Sequence, residues 1–348
     1  MIHGGPRHAH RAAAHGPTSA TKVRCRVQLG APIVTQPTTS PVEQTLYVGT
    51  LDGRLVAVAR DDGATRWTLA LGDRVYSTPL IADDGVVYVG SDAKRLAAVT
   101  PAGALVWKLE LDGEVDTGPA FGVDGNIVVA AGAHVYAVRP RGEVAWRFDA
   151  KRKVFTSPAI TEDGLVVVGA QDHHVHALEA NGRLAWSVDL GADVDGAAAI
   201  SDDGAIHVGT DGGEVVRLDR AGRIAWRTNV GGHVRGVLSI AQDGDVLAGT
   251  YGPVPRVVRV APVGSVRGGF SIRGTGAREF GIHGGPLEDG TGTLYFGGQD
   301  DAVHAVAPDG ALRFRYVAGG DIDAPLSLLS DGSLVVAAED GSLTLLLP

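Results

Sequence analysis

The side chains best able to do chemistry are few. His173, His174 and His176 form the densest set of metal-ligating groups, and strand alternation puts His174 and His176 on one face. A metal pair would still need further ligands. His176 falls at the same repeat position as Tyr136 and His304, so a packing role is the expectation. The single Cys25 excludes an internal disulfide and any Cys-x-x-Cys pair; it reads as a small buried hydrophobe. There is no Gly-x-Ser-x-Gly elbow, no His-Glu-x-x-His and no Walker-type phosphate loop. Gly274-Thr275-Gly276 lacks a third glycine and reads as a loop.

What positions these groups is a repeat. Trp67, Trp107, Trp146, Trp186 and Trp226 recur every 40, 39, 40 and 40 residues. Phe270 and Phe314 continue the register at 44-residue steps, and Cys25 stands 42 residues before Trp67, giving eight positions. Gly63, Gly103, Gly142, Gly182 and Gly222 each precede a Trp by four residues, and Gly310 precedes Phe314 in the same way. A second motif, Val-Gly-Thr/Ser-x-Asp, lies upstream in Val48 to Asp52, Val89 to Asp92, Val168 to Asp172, Val208 to Asp211 and Phe296 to Asp300. A period of about 40 residues, filled with short β-branched runs, is the size of one four-stranded propeller blade.

One unit predicts four strands: Ser77 to Ile81, Val86 to Gly90, Arg95 to Val99 and Ala104 to Glu110. Asp84-Gly85 makes the first hairpin, and Asp124-Gly125, Asp163-Gly164, Asp203-Gly204, Asp243-Gly244 and Asp331-Gly332 repeat it. These aspartates are assigned to turns rather than to catalysis. The C-terminal unit supplies three strands, and Val23 to Leu29 resembles a fourth. The expectation is an all-β, eight-bladed β-propeller of four-stranded antiparallel blades, closed by the N-terminal strand completing the last blade. Residues 1–22 are expected as a flexible lead-in and 23–348 as a single domain. His3, His8, His10 and His15 in the lead-in have no ordered ligand spacing.

Fifty glycines and the lack of sustained 3.6-residue periodicity agree with a helix-poor ring. A net charge of -9 argues against nucleic acid or an anionic membrane as a general partner. No apolar run has transmembrane length, and the first 25 residues lack the apolar core of a secretory signal. A monomer is expected.

In a meander blade, the loops leading into the innermost strands share a face with the loops between second and third strands; the Asp-Gly turns lie opposite. Aligned on Val75-Tyr76-Ser77-Thr78-Pro79, one residue per blade falls at the channel mouth: Val34, Tyr76, Asp116, Phe155, Asp195, Arg235, His283 and Asp323. The next residue stays small, as in Ser77, Thr117, Thr156, Gly196, Gly236 and Gly284. Convergent polar and aromatic groups in a concavity are the usual signature of a ligand site. Blade six expands at Tyr251 to Pro255 and Arg273 to Ile282. Between Arg235 and Phe280 six basic residues (Arg235, Arg256, Arg259, Arg267, Arg273, Arg278) face three acids, which suggests a dock for an acidic segment. Arg217 and Arg259 replace a small repeat residue; if buried, each needs a carboxylate partner.

The repeat Val-x-Ser-x-Pro, Val-Tyr-Val-Gly-Ser, Leu-x-Ala-Val, Gly-x-x-x-Trp resembles the PQQ-like β-propeller repeat family over about residues 23 to 348. That family includes the quinoprotein dehydrogenases and the propeller lipoprotein of the outer-membrane β-barrel assembly machinery. The start, Gly4-Gly5-Pro6-Arg7-His8-Ala9-His10-Arg11, also resembles a lead-in found before the first blade in this family. The resemblance implies export to a periplasmic or extracellular location, which would require a leader before Met1; a cytoplasmic member stays open beside it. It leaves two functions open. One is a non-catalytic scaffold holding a protein or peptide on the channel-mouth face through Tyr76, Phe155, Tyr251, Arg235 and Arg278, without a cofactor. The other is a PQQ-dependent oxidoreductase with calcium, using Asp116, Asp195 or Asp323 as general base. The adjacent cysteines common beside that cofactor are absent, and no calcium set is evident from the sequence.

Overall fold

In the computed structural model, residues 5, 7–9, 11–20, 22–39, 44–277 and 280–348 are described. They form eight four-stranded antiparallel sheets and no helix. Blade 2 is representative, with strands Leu80–Ile81, Val87–Ser91, Arg95–Val99 and Leu105–Glu110. Blade 8 is built from Ser327–Leu328, Leu334–Ala337 and Ser342–Leu346, and Val23–Gln28 pairs with the last of these as its outer strand. The closure expected from the sequence is the one formed, and the ring has no unpaired seam.

The innermost strands are shorter than the sequence suggests. Only Leu80 and Ile81 pair within blade 2, because the backbone before them turns to the preceding blade: Val75 N–H donates to Thr50 O at 3.2 Å. Pro79 has no N–H to extend the ladder. The core lies between blades rather than within one. Tyr47 and Leu55 of blade 1, for example, pack with Val75, Val87 and Val89 on the blade 2 side.

Both repeat motifs are contacts between blades. Each Trp donates its indole N–H to the next blade: Trp67 to Pro101 O at 2.8 Å, Trp107 to Pro140 O at 2.7 Å and Trp146 to Ala180 O at 2.7 Å. The glycine of that same turn lies over the ring, so a Cβ on Gly103 would fall 2.6 Å from Trp67 Cδ2. The Val-Gly glycine accommodates the next blade's inner segment: a Cβ on Gly49 would fall 2.3 Å from Val75 Cγ1.

Blade 6 departs from the ladder. Gly268, not Phe270, stands opposite Arg259 where the other blades pair Ala57 with Trp67 and Ala305 with Phe314. Phe270 sits two residues further on, so equal spacing misplaced it by one alternation of the strand. Arg259 occupies this position with its Nε 2.6 Å from Asp245 and its guanidinium NH2 2.6 Å from Asp243. Arg217 likewise pairs with Asp203 and donates to Pro262 O at 3.1 Å. The carboxylates that these arginines require come from the Asp-Gly hairpins.

The described residues of segment 1–22 lie on the ring. Ile200 N–H donates to Arg7 O at 2.9 Å, Ile240 N–H to Ala9 O at 3.0 Å, and Ala12 N–H to Glu288 O at 2.9 Å. His8 is fully buried, with Nδ1 3.1 Å from Ala198 O. Arg11 grips both carboxylate oxygens of Asp202, at 2.8 and 2.7 Å.

Candidate functional site

Each mouth residue is aimed by the residue before it. Val75, Val115, Val194, Val234, Ile282 and Ile322 are completely buried, and each donates its N–H to the preceding blade. The following residue is thereby turned toward the channel. The small residue after that has its own reason. Thr35, Thr117 and Thr156 bond through their hydroxyls to both N–H and C=O of one residue on the second strand, at 2.9 to 3.3 Å, and Ser77 accepts from Gly90 N–H at 3.0 Å. In blades 5 to 7 glycine replaces the hydroxyl residue because the next blade's backbone is too close: a Cβ on Gly196 would fall 2.2 Å from Gly236 O.

The result is one cavity of about 790 Å³ lined by all eight predicted mouth residues, Val34, Tyr76, Asp116, Phe155, Asp195, Arg235, His283 and Asp323, together with Tyr251. Arg278 falls outside the described residues.

A second ring, missed in the sequence, interleaves with the first. It is the variable position of Val-Gly-Thr/Ser-x-Asp and its counterparts: Leu51, Asp92, Gln171, Asp211, Tyr251, Gln299 and Glu339. Several of them bond the mouth residue of the next blade. Gln171 Nε2 donates to Asp195 at 3.3 Å, Gln299 Nε2 donates to Asp323 at 3.2 Å, and Arg235 binds Asp211. Tyr251 Oη lies 2.9 Å from His283 Nδ1, and the Arg235 guanidinium sits 5.8 Å from the Tyr251 ring centre. The signal was present in the sequence as the one unconstrained position of an otherwise regular motif.

The cup is electrically uneven. Arg74 Nε lies 2.8 Å from Asp92, and Lys153 Nζ 2.9 Å from Asp116 while also covering the Phe155 ring at 4.5 Å. Burial and the neighbouring Asp116 carboxyl push Asp92 up to about 7, against the pull of Arg74. Burial, Asp323 and Glu339 push Asp321 to about 7 as well, and burial followed by Asp323 raises Glu339. Burial also raises Asp195, although the Gln171 amide opposes it. Tyr76 and Phe155 are 37% and 39% exposed, with the Arg74 guanidinium 5.6 Å from the Tyr76 ring centre.

Four of the six basic residues of blade six are engaged within the ring, while Arg278 lies outside the described residues. Arg235 is bound to Asp211, Arg256 donates to Val230 O at 2.7 Å, and Arg259 and Arg267 share Asp243 and Asp245 in the hairpin on the opposite face. Residues close in sequence here are divided between two faces.

The histidine cluster packs. His176 Nε2 lies 3.0 Å from Asp172 and its Nδ1 3.1 Å from Ser187 Oγ, and burial lowers its pKa. At the matching positions His304 meets Asp300 at 3.0 Å and Tyr136 donates to Asp112 at 2.8 Å. Among the described residues no group of three or more His, Cys, Asp or Glu side chains is arranged to hold a metal ion. No helix among them is long and apolar enough to cross a membrane.

Comparison with known proteins agrees with this architecture. A family model described as outer membrane protein assembly factor BamB matches residues 16–100, 92–192 and 171–261. No curated protein matches the sequence. Among solved structures, BamB from Moraxella catarrhalis superposes with a TM-score of 0.78 at 18% identity, covering 94% of this chain and 99% of that one. Sqt1 from Saccharomyces cerevisiae gives 0.80 at 12% identity, and the computationally designed Ika8 protein 0.77 at 15%; each covers 94% of this chain and 100% of its own. At these identities the structural likeness speaks for the fold, while the family matches, which extend over most of the sequence, show that the chain belongs to the PQQ-like repeat propeller family.

Proposed function

We propose that this propeller is a non-catalytic scaffold that holds a protein or peptide partner in the cup at its channel mouth. The observation that carries this reading is the convergence of one variable residue from each of eight blades on a single cavity of about 790 Å³, with two exposed aromatic rings among them. Aromatic and arginine side chains in a concavity are the commonest anchors of protein interfaces. Tyr76, Phe155, Tyr251 and Arg235 fill that role here, with Asp116, Asp195, His283 and Asp323 setting polarity; Arg278 belongs to the same proposal on sequence grounds. The family model's description, an outer membrane protein assembly factor, supports work in the cell envelope and a protein as the ligand.

The test is photo-crosslinking in cells with a reactive amino acid placed at Tyr76, at Phe155 and, on the opposite face, at the exposed Val123. Discrete adducts from the first two positions and none from the third are expected. Adducts that are absent from the mouth, or equal on both faces, overturn the reading. Saturable binding of pyrroloquinoline quinone with calcium to the purified protein would also overturn it.

A further inference from the structure

The cup has a chemical preference of its own. Six carboxylates line it, Asp92, Glu114, Asp116, Asp195, Asp323 and Glu339, against the cations Arg74, Lys153 and Arg235. Every one of those cations is engaged: Arg74 with Asp92, Lys153 with Asp116 and Glu114, and Arg235 with Asp211. On the blade 8 side, Asp323 and Glu339 line the cup beside Asp321 with no cation paired to them among the described residues, and Asp323 Oδ1 is buried without a hydrogen bond. On the blade 2 side Asp92 is only 8% exposed, and its Oδ1 has no hydrogen-bond partner. Buried carboxylate oxygens without donors are costly, and a donor brought by a ligand would relieve that cost.

On the face away from the mouth the described residues of the lead-in bond three successive blades: the Arg7 carbonyl accepts from Ile200 of blade 5, the Ala9 carbonyl from Ile240 of blade 6, and Ala12 N–H donates to Glu288 of blade 7. The mouth is free of these contacts.

Resting on the scaffold reading above, we propose that the cup takes a basic peptide segment, one Lys or Arg side chain inserting toward Asp323 and Glu339 while its neighbours lie on Tyr76 and Phe155. Charge complementarity favours this over an acidic segment, because no cation in the cup is left to receive one.

The experiment is fluorescence anisotropy with a short labelled peptide carrying Arg, Lys and Tyr, beside its charge-reversed counterpart carrying Glu and Asp. The basic peptide is expected to bind the wild type and to lose about tenfold in affinity with D323N/E339Q. The control D83N/E162Q removes equal charge from the exposed Asp-Gly face and is expected to leave affinity unchanged. Equal losses in both variants would show general attraction to an acidic protein and overturn the proposal, as would preference for the acidic peptide or no binding by either. Those results leave the crosslinking test of the cup untouched, and missing crosslinks at the mouth would instead remove the cup as a binding site.

Discussion

Val115 occupies the space that a side chain on Gly90 would need: a Cβ there would lie 2.1 Å from Val115 Cγ1 and 2.8 Å from its carbonyl oxygen. The same relationship joins Gly169 to Val194 and Gly209 to Val234, each at 2.2 Å. The contact fixes the valine, and the valine aims Asp116, Asp195 or Arg235 into the cup. G90A is therefore expected to destabilise the ring by about 1–3 kcal/mol through overpacking. Urea unfolding measures this, and an unchanged midpoint would mean that the blades separate easily here.

The tryptophan ladder should divide into a polar and a steric part. W107F deletes the indole N–H donated to Pro140 O and is expected to cost about 1 kcal/mol. G142A adds a side chain at φ 90°, 2.8 Å from Trp107 Cδ2, and is expected to cost more. The ranking of thermal midpoints checks both.

Arg259 holds Asp245, whose side chain is 0% exposed. R259A leaves that carboxylate to Arg267 alone, 3.3 Å away, and should cost roughly 1–2 kcal/mol, moderated because both guanidinium groups are partly exposed. R259A/D245A should recover part of the loss. A double-mutant cycle with no coupling would show that the pair does not act as a unit.

Asp321 has a folded pKa of about 7, above its unfolded value. Its folded form retains the proton longer, so its contribution to stability is full below about pH 4 and is lost as pH rises through about 7. D321N should thus gain stability relative to wild type across that window and level off above it. Asp203, held at about 2 first by the Ser201 hydroxyl, runs the other way. D203N should be less stable than wild type above about pH 4, with the difference vanishing toward pH 2. Denaturant unfolding across pH reads both slopes.

Tyr76 and Phe155 are spared by the fold because more than a third of each residue's surface is exposed. Y76A/F155A should change stability by no more than about 0.5 kcal/mol per site while abolishing crosslinking to a partner from elsewhere in the cup. A large loss of stability would make them packing residues instead.

The sequence by itself determined the blades, their number, the seam closed by Val23–Gln28 and the eight residues at the mouth. Strand alternation, Asp-Gly turns and a regular period are local signals repeated often enough to align. Irregular places broke that reasoning: Phe270 kept the spacing but lost the register, because blade 6 puts Gly268 opposite Arg259. Only the tertiary structure decided which groups meet. Gln171 reaches Asp195 and Gln299 reaches Asp323 across 24 residues and a blade boundary, and Arg11 finds Asp202 across 191. A repeat specifies where a side chain stands within its own blade. Its charge partner belongs to the neighbouring blade, so the balance of the cup arises only when the ring is closed.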